Sequence, residues 1–203
     1  MASKGEETQK RILDAAQVMI LDHGYAGVSV DQLISSLGLT KGAFFHHFKS
    51  KKVLARTLIQ RYSDEGVQLF KDNLARAYKL SDDPLQQFLI FIGLYEELFE
   101  GLTEPYPGCL LASYVMEMQQ FDEDTRKIID VEFELSRTEL TTLINEISKK
   151  YPPRTEIDPV SLADGFMSVF EGAFILSKSL QEADITVQQL RHYKNYIELL
   201  FSR

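Results

Sequence analysis

Residues 29 to 54 read SVDQLISSLGLTKGAFFHHFKSKKVL, and three helix starts follow one another within that stretch. Ser29 with Gln32 three residues on makes a capping box, each side chain taking up the other's free backbone donor. Val30, Leu33, Ile34 and Leu37 then fall at i, i+3, i+4 and i+7, one apolar face of a short helix. Gly38 permits a tight turn, and Thr40 caps a third helix. Phe44 and Phe48 stand one turn apart on it and are expected in a small core. Ser50 caps a fourth helix, running from about Lys51 into the mid-70s. Two short helices joined by a glycine turn form a helix-turn-helix candidate whose second helix can enter the major groove of DNA. Many helical bundles contain such a pair, so the pattern alone also fits an ordinary bundle.

The pattern continues outward on both sides. Ile12, Ala15, Ala16, Met19 and Ile20 define a first amphipathic helix, expected to end at Gly24 in the left-handed conformation. Downstream, Asp83-Pro84 starts a very apolar helix, with proline where no donor is needed. GLTEPYPG, residues 101–108, is the clearest loop. A short helix is expected from about Cys109 to Gln119 and a long one from Glu123 to Lys150. Tyr151-Pro152-Pro153 breaks the chain. Asp158-Pro159 opens a helix to about Gln181, and Thr186 with Gln189 opens the last. No segment alternates as a strand does. The expectation is an all-α protein of nine helices, divided into residues 1–50 and 51–203.

The charge is unevenly divided as well. The net charge of −8 conceals a first third, residues 1–62, with 9 Lys/Arg against 5 Asp/Glu, and a remainder with 13 against 25. A basic head on an acidic body suits a polyanion partner, although solvated helix faces also cluster charge. One cysteine in 203 residues builds no disulfide framework and suits a reducing compartment. The polar start MASKGEETQK predicts no secretory signal. The longest unbroken apolar run, around Leu89 to Leu94, is far short of the ~20 residues of a membrane helix. A cytoplasmic protein without a membrane contact is expected.

The stretch 29–54 resembles the DNA-binding domain of the TetR family of bacterial transcriptional regulators. The shared features are the capped helix, Gly38 in the turn, Lys41-Gly42, Phe45-x-His47-Phe48 and Ser50-Lys51. HGYAGVSV, residues 23–30, matches the segment before this motif. The resemblance implies a nine-helix architecture, with an N-terminal three-helix DNA-binding domain and a helical body for effector binding and dimerisation. By that resemblance Ser29, His47 and Lys51 face the phosphate backbone, and Thr40, Lys41, Ala43 and His46 face base edges. Gly42 brings the helix backbone close to the duplex. Lys41 is the best candidate for direct readout, as a donor to guanine O6 or N7. Phe45 departs from the pattern: the family usually has a tyrosine there, whose hydroxyl contacts a phosphate. Lys52 stands where an acidic residue is usual, and its charge offsets the lost contact through counterion release.

For the body the resemblance implies homodimerisation through residues 159–201, binding to a palindromic double-stranded operator, and repression relieved by a small effector. Gly165, Ser168, Gly172 and Ala173 place small residues on one side of a helix, beside a stripe of Phe166, Phe170 and Phe174. That stripe is expected in a core or interface, with pocket lining as the alternative. Tyr95, Phe99, Cys109, Tyr114, Met116, Met118, Phe170 and Lys178 are the ligand-binding candidates, for a small apolar or electrophilic molecule. GCLLASYVMEMQQFDEDTR, residues 108–126, resembles a branch of the family that includes regulators responding to electrophiles and oxidants. There a cysteine follows the same glycine. Cys109 therefore reads either as a buried small hydrophobe or as a reactive thiol at a helix start, with Lys178 as the candidate cation.

No metal or cofactor is expected, since no Cys or carboxylate stands at ligand spacing beside His46 and His47. An enzyme would need a nucleophile, base and orienting group, and the four histidines offer no such set. A structural dimer that has lost operator binding is the remaining alternative, and Lys41, His47, Lys51 and the basic head speak against it.

Overall fold

The computed structural model describes residues 3–202. Among them nine α-helices follow in chain order: α1 (Lys4–Gly27), α2 (Val30–Leu37), α3 (Lys41–His47), α4 (Lys51–Leu80), α5 (Pro84–Phe99), α6 (Leu110–Met116), α7 (Glu123–Lys150), α8 (Pro159–Leu180) and α9 (Ile185–Phe201). A 3₁₀ turn, Met118–Gln120, follows α6. The all-α, nine-helix expectation holds. The chain forms two compact units, Met1–Glu65 with Cys109–Val131, and Gly66–Gly108 with Glu132–Arg203.

Local sequence sets most helix starts. Ser3 with Glu6 and Ser29 with Gln32 both form complete capping boxes. The Thr40 hydroxyl accepts from the Ala43 N–H at 3.1 Å, and the Ser50 hydroxyl from the Val53 N–H at 3.2 Å. Asp83 and Asp158 cap α5 and α8, each followed by proline at the first helical position. Asp83 also takes hydrogen bonds from Lys150 and Tyr151. Against a cost of burial, these donors and the Gln86 N–H pull its carboxyl down to about 2.

Three details differ from the sequence reading. Gly24 has positive φ (72°) but does not end α1: the chain kinks there and makes a further helical turn to Gly27. The helix expected at 109–119 stops at Met116 and tightens into the 3₁₀ turn. α9 starts at Ile185 behind Asp184, not on Thr186. Thr186 is 1% exposed, so packing has claimed the residue the capping reading used.

In the first unit α1 packs on α2 and α6. Its core holds Ile12, Ala16, Ile20, Leu33, Phe44, Phe48, Leu54 and Leu58. Tyr114 is fully buried, stacked on Phe121 with centroids 4.5 Å apart, and its hydroxyl donates to the Ala55 carbonyl.

In the second unit α9 packs on both α5 and α8. Rings dominate its interior: Phe91 lies 5.4 Å from Phe166, and Tyr95 lies 5.4 Å from Phe166 and 5.5 Å from Phe170. The Tyr193 hydroxyl donates to the Leu162 carbonyl at 2.7 Å, and its ring fills the space beside Gly165. α8 is long and apolar enough to cross a membrane, with a mean hydropathy of 1.3 over an 18-residue window. In this fold its Leu162, Ala163, Phe166, Ala173 and Phe174 are buried within the unit.

One half-buried carboxylate opposes this packing. Glu132 of α7 lies against α4 where Gly66 leaves room: a Cβ at residue 66 would sit 2.5 Å from its Oε1. Its Oε2 is buried without a hydrogen-bond partner. Burial, reinforced by the neighbouring Glu171, raises its carboxyl to about 7. The folded state therefore holds a proton that the unfolded chain releases near its ordinary value. This contribution is complete below about pH 4.5 and is lost as pH rises through 7. Glu132→Gln should stabilise the protein at pH 8 relative to the parent by roughly 2–3 kcal/mol and give little gain at pH 4.5. Thermal unfolding at the two pH values checks this, and an equal gain at both refutes it.

Candidate nucleic-acid interface

The helix-turn-helix geometry rests on two short helices that the core holds in place. Gly38 adopts the left-handed conformation (φ 63°, ψ 29°) and lets the chain turn from α2 into α3. Phe44 packs 6.0 Å from Phe48, and both are buried, so one face of α3 is anchored. The opposite face is left to solvent. Thr40, Lys41, Gly42, Phe45 and His46 are exposed there, with Ala43 and His47 half-buried. Ser29 is exposed at the start of α2. The residues expected to read bases thus share one open helix and its cap.

Two contacts bear on charge at this surface. The Lys41 ammonium pairs with the Asp31 carboxylate at 2.9 Å, both side chains about 70% exposed. An exposed pair of this kind is worth roughly 0–1 kcal/mol, so a guanine edge or a phosphate can displace it. Asp31 is a neighbour the sequence reading did not weigh. Lys51 is half-buried: its ammonium donates to the Tyr25 carbonyl and lies 4.1 Å from the centre of the Tyr25 ring. Desolvation holds its pKa below the usual lysine value, with Glu117 acting in the other direction. Phe45 is 42% exposed and meets Phe44 edge-on.

The ligand candidates fall in both units. Tyr95, Phe99 and Phe170 come together in the second unit, with Phe170 5.5 Å from Tyr95 and 5.6 Å from Phe99. Burial raises the Tyr95 hydroxyl well above its ordinary value, with Glu132 adding to it. Lys178 donates to the Pro107 carbonyl at 3.3 Å in the same unit. Tyr114, Met118 and Cys109 belong to the first unit. Tyr114 is core there, and the Met118 carbonyl accepts from Arg126 Nε. Met116 is 76% exposed. Cys109 is the N-cap of α6, nine-tenths buried, and gives no side-chain capping bond. Among the described residues no group of three or more His, Cys, Asp or Glu is arranged to hold a metal.

A short exposed helix behind a glycine turn, anchored from one face, is the arrangement of a helix-turn-helix. The comparisons agree. Residues 12–58 match the family model described as bacterial regulatory proteins, tetR family. The transcriptional regulator AcuR of Cereibacter sphaeroides is 26% identical over 161 residues, 78% of this chain and 71% of its own. The HTH-type transcriptional repressor DhaR of Mycobacterium sp. strain GP1 is 21% identical over 170 residues, 84% of this chain and 82% of its own. A TetR-family regulator from Agrobacterium tumefaciens superposes with a TM-score of 0.75 at 22% identity, covering 95% of this chain and 98% of that one. Residues 12–58 thus match the TetR-family model, and over its whole length the chain has the fold of a TetR-family structure.

Replacing Lys41 by Ala should cost about 1–3 kcal/mol of discrimination between the preferred site and a scrambled duplex. Asp31→Asn, which releases the ammonium and removes a carboxylate facing DNA, should tighten binding by up to about 1 kcal/mol. Fluorescence anisotropy on both duplexes reads the two effects. A Lys41→Ala protein with undiminished discrimination removes Lys41 from base readout.

Proposed function

We propose that the protein is a homodimeric repressor that binds a palindromic operator and releases it when a small molecule occupies the body. The observation that carries this reading is the open face of α3, with Lys41, Gly42 and His46 exposed on a helix that Phe44 and Phe48 anchor from behind. In this reading Thr40, Lys41, Ala43 and His46 meet base edges, Gly42 allows close approach, and Ser29, Phe45, His47 and Lys51 lie along the backbone. The protein works where the operator is, in the cytoplasm.

A dimer through 159–201 is supported by apolar side chains that the described fold leaves uncovered. On α8 these are Ile175 (63% exposed), Leu176 and Leu180, and on α9 Tyr196 and Leu199 (63%). A Cβ at Gly172 would meet nothing within 4 Å, so that side of α8 is open to close approach. Patches of this kind mark association surfaces, and a two-fold contact gives the paired heads that a palindrome requires. The double variant Ile175→Glu/Leu199→Glu should sediment as a monomer at micromolar concentration while the parent is a dimer. It should also lose at least about tenfold in operator affinity. A parent that sediments as a monomer refutes the placement.

The effector is read as a small apolar or electrophilic molecule. Tyr95, Phe99 and Phe170 offer rings and a hydroxyl for its non-covalent capture. A covalent route rests on the N-cap position of Cys109 at the start of α6, where its side chain makes no capping bond. Lys178 holds the Pro107 carbonyl just ahead of it in the chain. Treating the DNA-bound protein with N-ethylmaleimide or peroxide should release the parent and leave Cys109→Ser bound. Equal release of the two proteins, or a folded parent thiol that resists modification, leaves only the non-covalent route.

A further inference from the structure

Tyr25 is gripped from two sides, and one of the grips comes from a residue 92 positions away. The kink at Gly24 restarts the helix of α1, so the N–H groups of Tyr25 and Ala26 begin a new turn without carbonyls of their own. The Glu117 carboxylate takes both: Oε1 accepts from Tyr25 N at 2.6 Å and Oε2 from Ala26 N at 2.8 Å. Gly24 makes this approach possible twice over. Its φ of 72° suits glycine, and a Cβ there would stand 2.7 Å from Glu117 Oε1. On the other side the Tyr25 carbonyl and ring are held by the Lys51 ammonium at the start of α4. The ring itself is buried, 4.7 Å from Phe121 and 6.1 Å from Tyr114.

The gripped turn lies just ahead of Ser29, the N-cap of α2. Glu117 is the C-cap of α6, between that helix and the 3₁₀ turn. A bidentate, charge-assisted contact of this kind is directional. It therefore fixes the angle at which the chain leaves α1 and enters the helix-turn-helix, rather than merely adding cohesion.

We propose that Glu117 is a positioning residue for operator recognition. Its carboxylate locks the α1–α2 corner from α6, and Lys51 completes the lock from α4. The assignment deepens the operator-binding reading above and rests on it. Glu117 touches no DNA and acts through the backbone of Tyr25 and Ala26. Loosening it frees the α2–α3 pair to tilt, which costs base readout while leaving phosphate attraction in place.

The test uses the full-length protein with Glu117→Gln and Glu117→Ala. Gln keeps the shape but presents an NH₂ group to one of two N–H donors. Operator affinity should fall about tenfold or more for both variants, with binding to a scrambled duplex and its salt slope within twofold of the parent. Amide exchange at Tyr25 and Ala26 should accelerate, with dimer mass unchanged. Should the Ala variant fail to fold, the near-isosteric Gln variant carries the same comparison. Operator binding by Glu117→Gln within twofold of the parent overturns the assignment, as does an equal loss on both duplexes, which would mark a general structural role. A parent with no preference for any operator overturns the operator reading and the assignment with it.

Discussion

Helices of seven and eight residues do not persist in water by themselves, and α3 and α2 have those lengths. The rest of the head is arranged around that constraint. Capping at Ser29 and Thr40 satisfies the first donors, but each cap is worth only about 1 kcal/mol. The larger share comes from burying Phe44 and Phe48, and from the ring cluster of Tyr25, Tyr114 and Phe121. That cluster joins α1 to α6 and its 3₁₀ turn. The reading surface is therefore only as well defined as the contacts behind it, and part of it is defined by residues distant in sequence.

Charge sharpens the same point. The positive charge of residues 1–62 lies in the segment that carries α3, 9 Lys/Arg against 5 Asp/Glu. Within the head, however, Asp31 neutralises Lys41 until a better partner arrives. Any anionic or base-edge partner must outcompete that carboxylate to gain the ammonium. Lys51 is half-withdrawn in the same way, but by desolvation and by a carbonyl rather than by a carboxylate.

The legible features were those whose physics is local. Capping at Ser29, Thr40, Ser50, Asp83 and Asp158 involves partners two or three residues away, and each was readable from spacing. The apolar faces of α2 and α3 were readable for the same reason. Thr186 shows where that logic stops: its spacing to Gln189 is correct, yet tertiary packing buried it and Asp184 leads the helix. Tyr114 looked like a pocket residue because its ring and hydroxyl suit one, but the hydroxyl is spent on Ala55. Glu117, Asp31 and Glu132 escaped notice because single charged residues on helical faces look like solvated surface. Only the structure shows that Glu117 meets a turn 92 residues earlier and that Glu132 lies against the backbone at Gly66.

The length of α6 gives the contact at Glu117 its significance. Seven residues rise about 10 Å, and the helix carries Cys109 as N-cap at one end and Glu117 as C-cap at the other. So short a rod bends little, and a shift of its first turn moves its last. An effector that moves the equilibrium from mostly operator-bound to mostly free must discriminate between the two states by about 5 kcal/mol. Two charge-assisted hydrogen bonds to backbone N–H groups, at about 1.5–3 kcal/mol each, are of that order. An effector that opened this corner would have to outweigh a contact of that size. Crowding at the thiol end of α6 would then be felt at the α1–α2 corner without any change in the residues that meet DNA, because both ends belong to the same short helix.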